Sequence, residues 1–293
     1  MEVQWELIIF TLFITIGAGI FGITGVLAGL KKGEAIQLLA PIVALVAVAV
    51  GGIASFFHLQ YWQRAFGGFG NPTSGITQEM IALVIFGLFV IIYIILSRRG
   101  KTPVWAGWTA AAISVALVIV MAHSYNVSAR PVWDTPLLWL YYLSNAVLFG
   151  GLIVAAIQGL KKEEAGLAVK VALVGGALVA IVAIAYGFFI QSAASSFTDV
   201  AYYHDPTQPT KAMNDPVGVL SGFLSGANAL LFWGGVLVVG ACVPLVVSFF
   251  SMKKKDTPLL GLASLGAVCA IAGGICFRLI LYYTSYSVFM FYY

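Results

Sequence analysis

The stretch "LIIFTLFITIGAGIFGITGVLAGLKKGE", residues 7–34, decides the fold of the chain. Residues 7–30 carry no charged side chain, and two lysines, Lys31 and Lys32, follow at once. About 20 consecutive apolar residues are enough for a helix to cross the hydrocarbon core of a bilayer. The stretch therefore predicts a membrane-spanning helix that ends at a basic loop. No basic residue precedes it and no cleavage-site pattern follows it, so we expect a retained span rather than a signal peptide.

The rest of the 293-residue chain repeats this pattern. Hydrophobic residues make up 61% of it and charged residues 9%, whereas about a quarter of a soluble domain is charged. The mean hydropathy of +1.00 agrees with this composition. We predict an all-α integral membrane protein in which residues 1–293 form a single transmembrane domain. Its eight predicted helices cover residues 7–30, 35–59, 80–97, 104–126, 136–160, 167–192, 218–251 and 259–285.

The connections between these helices alternate in character. Lysine and arginine concentrate in four short loops, at residues 31–34, 97–103, 161–166 and 252–258. The positive-inside rule places such loops in the cytoplasm, so both termini are expected on the extracytoplasmic side. The intervening segments are rich in proline and aromatic residues, and two of them, 60–79 and 193–217, fall at matching positions of two four-helix halves. These segments, which we expect to form one surface for partner proteins, are residues 60–79, 127–135 and 193–217.

Polar side chains collect where the second predicted helix ends and the third begins. The stretch "FFHLQYWQRAFGGFGNPTSGITQEM" contains three polar and two aromatic residues of interest: His58, Arg64, Glu79, Trp62 and Phe66. Polar groups at this depth are costly in lipid and usually functional. A quinol must lose two protons as it loses two electrons. A histidine accepts a proton near neutral pH, and a partly buried glutamate relays one, so His58 and Glu79 suit quinol oxidation. The aromatic rings suit stacking on the quinol ring. The alternative is that each polar side chain simply reaches the interfacial water.

Other residues leave other functions open. His58 and His123 allow a single b-type haem, although three histidines are too few for a two-haem cytochrome. Arg278, inside the last predicted helix, either pairs with a buried polar group or lines the quinol pocket. A transporter is a further alternative, although the polar groups cluster at one rim rather than at the midplane.

The three cysteines form no CxxC pattern, so we expect neither a metal site nor a disulfide, and we expect no nucleic-acid partner.

Three stretches carry a resemblance to a known family. The first is the polar stretch above, with "HL", "RAF" and "TQE" in order, ending at Glu79. The second is "ARPVWDTPLLWLYYLSNAVLFGG", residues 129–151, and the third is "QWELIIFTLFITIGAG", residues 4–19. Together with the length and the eight predicted helices, they resemble the DmsC-type membrane anchor subunits of DMSO reductase-family molybdopterin oxidoreductases. The sequence departs from the family pattern at "QYWQ", residues 60–63, where the family usually has Gly-x-Pro.

The resemblance implies a function. Such anchors lie in the bacterial cytoplasmic membrane, carry no haem, oxidise menaquinol, and pass its electrons to a four-cluster ferredoxin-like iron–sulfur subunit and then to a molybdopterin catalytic subunit on the extracytoplasmic face. The family's quinol-linked histidine and carboxylate correspond to His58 and Glu79. With these we group Arg64, Trp62 and Phe66 as the quinol site. The residues expected at the partner interface are Arg130, Trp133, Asp134 and His204.

Overall fold

The chain folds into a bundle of long helices. The computed structural model describes residues 3–57, 67, 70–100, 102–197, 215–253 and 259–288, and this part of the chain contains no strand. Eight of its helices are long and apolar enough to cross a membrane, which confirms the predicted all-α membrane fold. The helices are α1 Trp5–Gly29, α2 Leu39–Phe57, α3 Gly75–Arg98, α4 Val104–Ser124, α5 Pro136–Leu160, α6 Gly166–Ser192, α7 Pro216–Ser221, α8 Val243–Lys253 and α9 Leu259–Tyr283.

The seventh predicted helix, residues 218–251, is divided in the structure. The short helix α7 is capped by Asp215, whose Oδ1 accepts a hydrogen bond of 2.8 Å from the backbone N–H of Gly218. A turn containing Gly222 and Gly226 follows, since such residues favour turns over a continuous helix. The seventh span is Leu231–Met252, and its first part, Leu231–Cys242, has π-helical hydrogen bonding that leads directly into α8.

The third predicted helix, residues 80–97, begins earlier in the structure. Helix α3 starts at Gly75, after Ser74 with extended backbone at the N-cap position, where serine is favoured. The polar residues 77–79, Thr-Gln-Glu, therefore belong to the first turns of a helix rather than to a loop. Helix α2 begins later than predicted, because a short 3₁₀ turn, Glu34–Ile36, follows Gly33 with its positive φ of 69°. The shifted start of α3 places Glu79 on a helix face.

Helices α1 and α5 lie side by side at the centre of the bundle. Helix α1 packs on α2 and α4, and α5 packs on α6 and α9 in the same way. The pairs α3–α4 and α8–α9 complete two halves with matching contacts. Gly19 and Gly150 follow the first residues of α1 and α5 by the same number of positions, and they face each other. A Cβ atom on either would collide with backbone of the opposite helix, so only glycine allows this approach.

Helices α1 and α5 also end in the same way. Each is followed by a lysine in the left-handed region, Lys31 with φ of 56° and Lys162 with φ of 55°. The next N–H bonds back to the last helical turn, from Lys32 to the Leu27 carbonyl at 2.8 Å and from Glu163 to the Gln158 carbonyl at 2.9 Å. This pattern closes a helix by satisfying carbonyls of its last turn. The sequences "GLKKGEA" and "GLKKEEA" are alike at these ends, although Lys31 is the first lysine of its stretch and Lys162 is the second lysine of the other.

Candidate functional site

Glu79 is a buried acid at one rim of the bundle. This rim, where α1 begins and α4 and α9 end, is called the Glu79 end below. The Glu79 side chain is 8% exposed, although it lies only about one helical turn from the start of α3. Gly75 allows α3 to approach the end of α4, since a Cβ atom there would lie 3.1 Å from the Cα of Ser124. Glu79 therefore faces the interior, towards α4.

Ser124 gives Glu79 a weak hydrogen bond. The Ser124 hydroxyl lies 3.3 Å from Oε2 of Glu79 and 2.8 Å from the Met121 carbonyl oxygen. A serine hydroxyl has one proton to donate, and the carbonyl is the closer acceptor. The other carboxyl oxygen, Oε1, is buried with no hydrogen-bond partner among the described residues. Such buried acceptors are costly, so the carboxyl group retains capacity for a further donor.

Tyr125 connects Glu79 with a second polar group. It follows Ser124 directly and lines a small cavity between α1, α5 and α9. Loss of solvent is the main cause that raises the pKa of the Tyr125 phenol well above its usual value of 10; the Glu79 charge raises it further and the Arg278 charge opposes the rise. The phenol is therefore neutral and remains a hydrogen-bond donor. Glu79 and Arg278 thus have opposite effects on the pKa of the same phenol.

Arg278 is a fully buried cation in the last span. Its guanidinium donates from Nε to the Thr11 hydroxyl at 2.9 Å, from Nη2 to the Thr11 carbonyl and the Thr15 hydroxyl at 3.2 Å each, and from Nη1 to the Gly274 carbonyl at 2.9 Å. It also lies 5.0 Å from the centre of the Tyr142 ring. Of the two alternatives for this residue, the structure shows pairing with buried polar groups, all of them neutral.

The cavity beside Arg278 is too small for a quinone. Its volume of about 10 Å³ for the centre of a water molecule leaves room for one water. The hydroxyl of Tyr282, which lines the cavity, is buried and has no partner among the described residues. A water molecule here has a phenol, a guanidinium and a second phenol within reach. The cavity therefore suits solvent.

The segment 127–135 is fixed to the end of α9. Arg130 donates from Nη1 to the Ser285 hydroxyl at 2.7 Å and lies 4.7 Å from the centre of the Trp133 ring. Trp133 is 7% exposed and donates from Nε1 to the Leu281 carbonyl at 3.0 Å. Asp134 is exposed. Of the three predicted interface residues in this segment, Trp133 therefore packs inside the chain and Asp134 presents its side chain to the surface, and contact with a partner stays a prediction.

Several predicted site residues lie outside the described residues. They are His58, Trp62, Arg64, Phe66 and His204, and their proximity to Glu79 or to a partner stays a prediction. His123 is described: it is exposed on α4, and its ring centre lies 5.6 Å from that of Trp139. Within the described ranges, no group of three or more histidine, cysteine, aspartate or glutamate residues is placed to hold a metal ion.

Sequence reasoning missed Ser124 and Tyr125 as residues near Glu79. The contact between Glu79 and Ser124 could have been predicted from the alignment of the two helices, because α3 and α4 are antiparallel and joined by a short loop. Glu79 and Ser124 stand almost equally far from that loop, one before it and one after it, so they reach the same depth. Residues 124–126, Ser-Tyr-Asn, form the polar end of an otherwise apolar helix, and Ser124 is the one of them that contacts α3.

Comparison with known families agrees with this architecture. A family model described as "DMSO reductase anchor subunit (DmsC)" matches residues 1–284, and the chain belongs to this family. No curated protein matches the chain. The resemblance inferred from the sequence is thereby confirmed, and the eight long apolar helices agree with it. The chain is a multi-pass membrane anchor subunit of a DMSO reductase-type oxidoreductase complex.

Proposed function

We propose that this anchor subunit oxidises menaquinol at the Glu79 end. One menaquinol loses two electrons and two protons and becomes menaquinone. The electrons pass to a four-cluster ferredoxin-like iron–sulfur subunit bound to this rim, and from there to a molybdopterin catalytic subunit. The rim faces the extracytoplasmic side of a bacterial cytoplasmic membrane, because the loops at the opposite end carry most of the lysines and arginines.

The observation that supports the proposal is the unsatisfied Glu79 carboxyl group. It is buried, and its Oε1 has no partner among the described residues. Its Oε2 accepts only a long hydrogen bond from the Ser124 hydroxyl, which also donates to a closer carbonyl. A quinol hydroxyl is a donor of the right kind for such an oxygen. The position is also suitable, since a lipid-soluble ring reaches the rim from the bilayer and a released proton reaches water.

The remaining roles come from the sequence. His58 accepts a proton from one quinol hydroxyl, and Glu79 accepts the other proton or relays it outwards. Arg64 stabilises the negative charge that develops as the protons leave. The rings of Trp62 and Phe66 pack on the quinol ring. Protons released at this rim appear on the same side as the proposed partner subunits.

The purified complex tests this proposal with two electron donors. His58→Ala should lower menaquinol-driven turnover by about a hundredfold. Glu79→Gln should lower it by about tenfold, because an amide still binds the hydroxyl but cannot take the proton. Both variants should keep the wild-type rate with an artificial soluble donor that reduces the partner subunits directly. Glu34→Gln, which changes an exposed carboxylate at the opposite end, is the matched control. Wild-type menaquinol turnover in His58→Ala would contradict the proposal.

A further inference from the structure

A cavity lies at the end of the bundle opposite to the Glu79 end, between the loop that joins α1 to α2 and the loop that joins α3 to α4. Its volume for the centre of a water molecule is about 370 Å³, where about 10–15 Å³ holds a single water. The cavity therefore has room for a ligand of many atoms. The residues that matter below are Lys31, Lys32 and Gln37 from the first loop and Thr102, Pro103 and Val104 from the second.

Hydrogen bonds hold both walls of this cavity in place. Gln37 is buried, its Oε1 accepts from the Tyr93 hydroxyl of α3 at 2.5 Å, and its Nε2 donates to the Lys32 carbonyl at 3.3 Å. On the other wall, the hydroxyl oxygens of Ser97 and Thr102 lie 3.0 Å apart. The cavity is therefore formed without a ligand, and such preorganisation lowers the entropic cost of binding.

The two lysines bring uncompensated positive charge to the cavity. The last turn of α1 does not need their ammonium groups, because its carbonyls accept from backbone N–H groups, as that of Leu27 does from Lys32. Among the described residues, neither ammonium group takes part in a hydrogen bond or an ion pair. Glu34 also lines the cavity, and this single carboxylate leaves the lining with a net positive charge. A cavity of this kind attracts an anion.

The start of α4 adds backbone donors to the same cavity. Helix α4 has 21 residues, and its N-cap residue, Pro103, makes no side-chain capping bond. The N–H groups in the first turn of a helix have no partner inside the helix, and they carry the positive end of its dipole. Pro103 and Val104 line the cavity, so this helix end lies at its wall. The lysines and the helix start favour the same ligand, an anion with several acceptor oxygens such as a phosphate.

The depth of the cavity in the membrane favours an amphiphile. Trp105 and Trp108 of α4 are 57% and 48% exposed, and the Trp108 ring packs against Gly29 at the end of α1. Exposed tryptophans are enriched at the headgroup level of a bilayer. The apolar residues Ala28 and Val104 line the cavity beside the charged loop. A phospholipid presents a phosphate at this level with apolar chains next to it, whereas inorganic phosphate has no apolar part.

We infer that this cavity binds the phosphate of an anionic phospholipid. Lys31 and Lys32 pair with the phosphate, and the N–H groups at the start of α4 donate to its oxygens, while the acyl chains extend into the bilayer. The lipid then connects the α1–α2 loop to the start of α4, so its binding stabilises the first half of the bundle. The inference stands apart from quinol oxidation, which is proposed for the opposite end.

The test measures lipid binding to the intact complex by native mass spectrometry. Mixed micelles supply phosphatidylglycerol and phosphatidylcholine with identical acyl chains. The double variant Lys31→Gln/Lys32→Gln should raise the Kd for phosphatidylglycerol by about 25-fold, because each lysine near an anionic lipid headgroup contributes about fivefold. Phosphatidylcholine has no net charge, so it should bind more weakly than phosphatidylglycerol to the wild type.

The matched control is Lys161→Gln/Lys162→Gln. The change in charge is the same, and the two lysines follow the end of α5 as Lys31 and Lys32 follow that of α1, but neither lines the cavity. The Kd for phosphatidylglycerol should therefore stay at the wild-type value. An equal rise in both double variants would show a general attraction of the lipid to lysines and would overturn the inference.

A second pair of variants tests the start of α4 without changing a lysine. Val104→Asp places a carboxylate at the cavity wall, and because an acid in the first turn of a helix is favourable, α4 should form normally. Repulsion of the phosphate should raise the Kd for phosphatidylglycerol by about tenfold. Val104→Asn, of nearly the same size but without charge, should leave the Kd near the wild-type value. Equal binding to both variants would contradict a phosphate at this wall.

Inorganic phosphate separates a lipid site from a site for a free anion. Phosphatidylglycerol should raise the thermal transition temperature of the wild-type complex more than that of Lys31→Gln/Lys32→Gln, and inorganic phosphate should change neither. Stabilisation of the wild type by inorganic phosphate as large as that by phosphatidylglycerol would assign the cavity to a free anion and overturn the lipid. Phosphatidylcholine that binds as tightly as phosphatidylglycerol would show an unselective lipid contact and would also overturn the inference.

Discussion

Arg278 of α9 and Thr11 of α1 are joined by two hydrogen bonds, one from Nε to the threonine hydroxyl and one from Nη2 to the threonine carbonyl. They connect the last span of the chain to the first, across 267 residues. The guanidinium charge is solvated by hydroxyls, carbonyls and the Tyr142 ring rather than by a carboxylate. The contact fixes α9 against the central helix α1, and it is the longest-range polar contact described here in sequence terms.

Arg278→Met is expected to destabilise the anchor. The change removes the guanidinium donors to Thr11 and Thr15, and hydrogen bonds from charged groups contribute about 1.5–3 kcal/mol each before the cost of burying the charge is subtracted. We expect the free energy of unfolding to fall by about 2–4 kcal/mol. Thermal unfolding of the purified complex measures the effect. Lys170→Met, which removes an exposed cation from α6, should leave the transition temperature unchanged. An equal shift in both variants would show that Arg278 has no special role.

Gly19→Ala is expected to disrupt the central helix pair. The new methyl group would overlap the Ala146 carbonyl, and because that atom belongs to the α5 backbone, the two helices must move apart. The yield of monodisperse protein in size-exclusion chromatography should fall, and the transition temperature with it. Gly87→Ala is the control, since a Cβ atom there meets no neighbour and alanine favours a helix. Normal yield of Gly19→Ala would contradict the backbone contact.

The orientation of the bundle is tested at the C-terminus. The basic loops predict that Tyr293 lies on the extracytoplasmic side. A reporter that is active only outside the cytoplasm should therefore work when fused after Tyr293, and a reporter that needs the cytoplasm should fail there. A fusion in the loop 161–166 should give the opposite pair of results. Cytoplasmic activity at Tyr293 would reverse the proposed placement of the quinol site.

Docking of the iron–sulfur subunit is tested at Asp134. Its side chain is exposed, and the segment around it is held by Arg130 and Trp133, so a change of charge there should not disturb the fold. Asp134→Arg is expected to weaken the complex by about tenfold in dissociation constant, as reversal of one interfacial charge does. Copurification of the partner at increasing salt measures the effect. Glu34→Arg at the opposite end should have none, and an unaffected Asp134→Arg complex would exclude this part of the rim from the interface.

The membrane fold was predictable because it depends on local composition. Long apolar runs and basic loops identify spans without any knowledge of packing, and all eight are present. The helix starts were less predictable, because α3 begins right after Ser74, ahead of polar residues that hydropathy assigns to a loop. A capping rule applied to "SGITQE" places the start of α3 better than the apolar run does.

The neighbours of Arg278 were not predictable in this way. Thr11 and Thr15 lie in the first span, and threonines inside apolar helices commonly donate to a carbonyl of their own helix, as both do here. Their second role depends on how α9 packs beside α1, which is a property of the assembled bundle. The same holds for Glu79, whose contact with Ser124 follows from the register of two antiparallel helices.

The matched centre formed by α1 and α5 bears on the ancestry of the chain. The two helices meet glycine to glycine at the same depth, run in the same direction, and are each followed by a lysine in the left-handed region. A fused pair of gene copies would encode such a pair of helices, with the two halves related by an axis along the membrane normal. The two halves differ at the acid. Glu79 is the fifth residue of α3, and the fifth residue of the seventh span is Gly235. The bundle therefore carries a carboxyl group at this position in the first half, where the second half has a residue with no side chain.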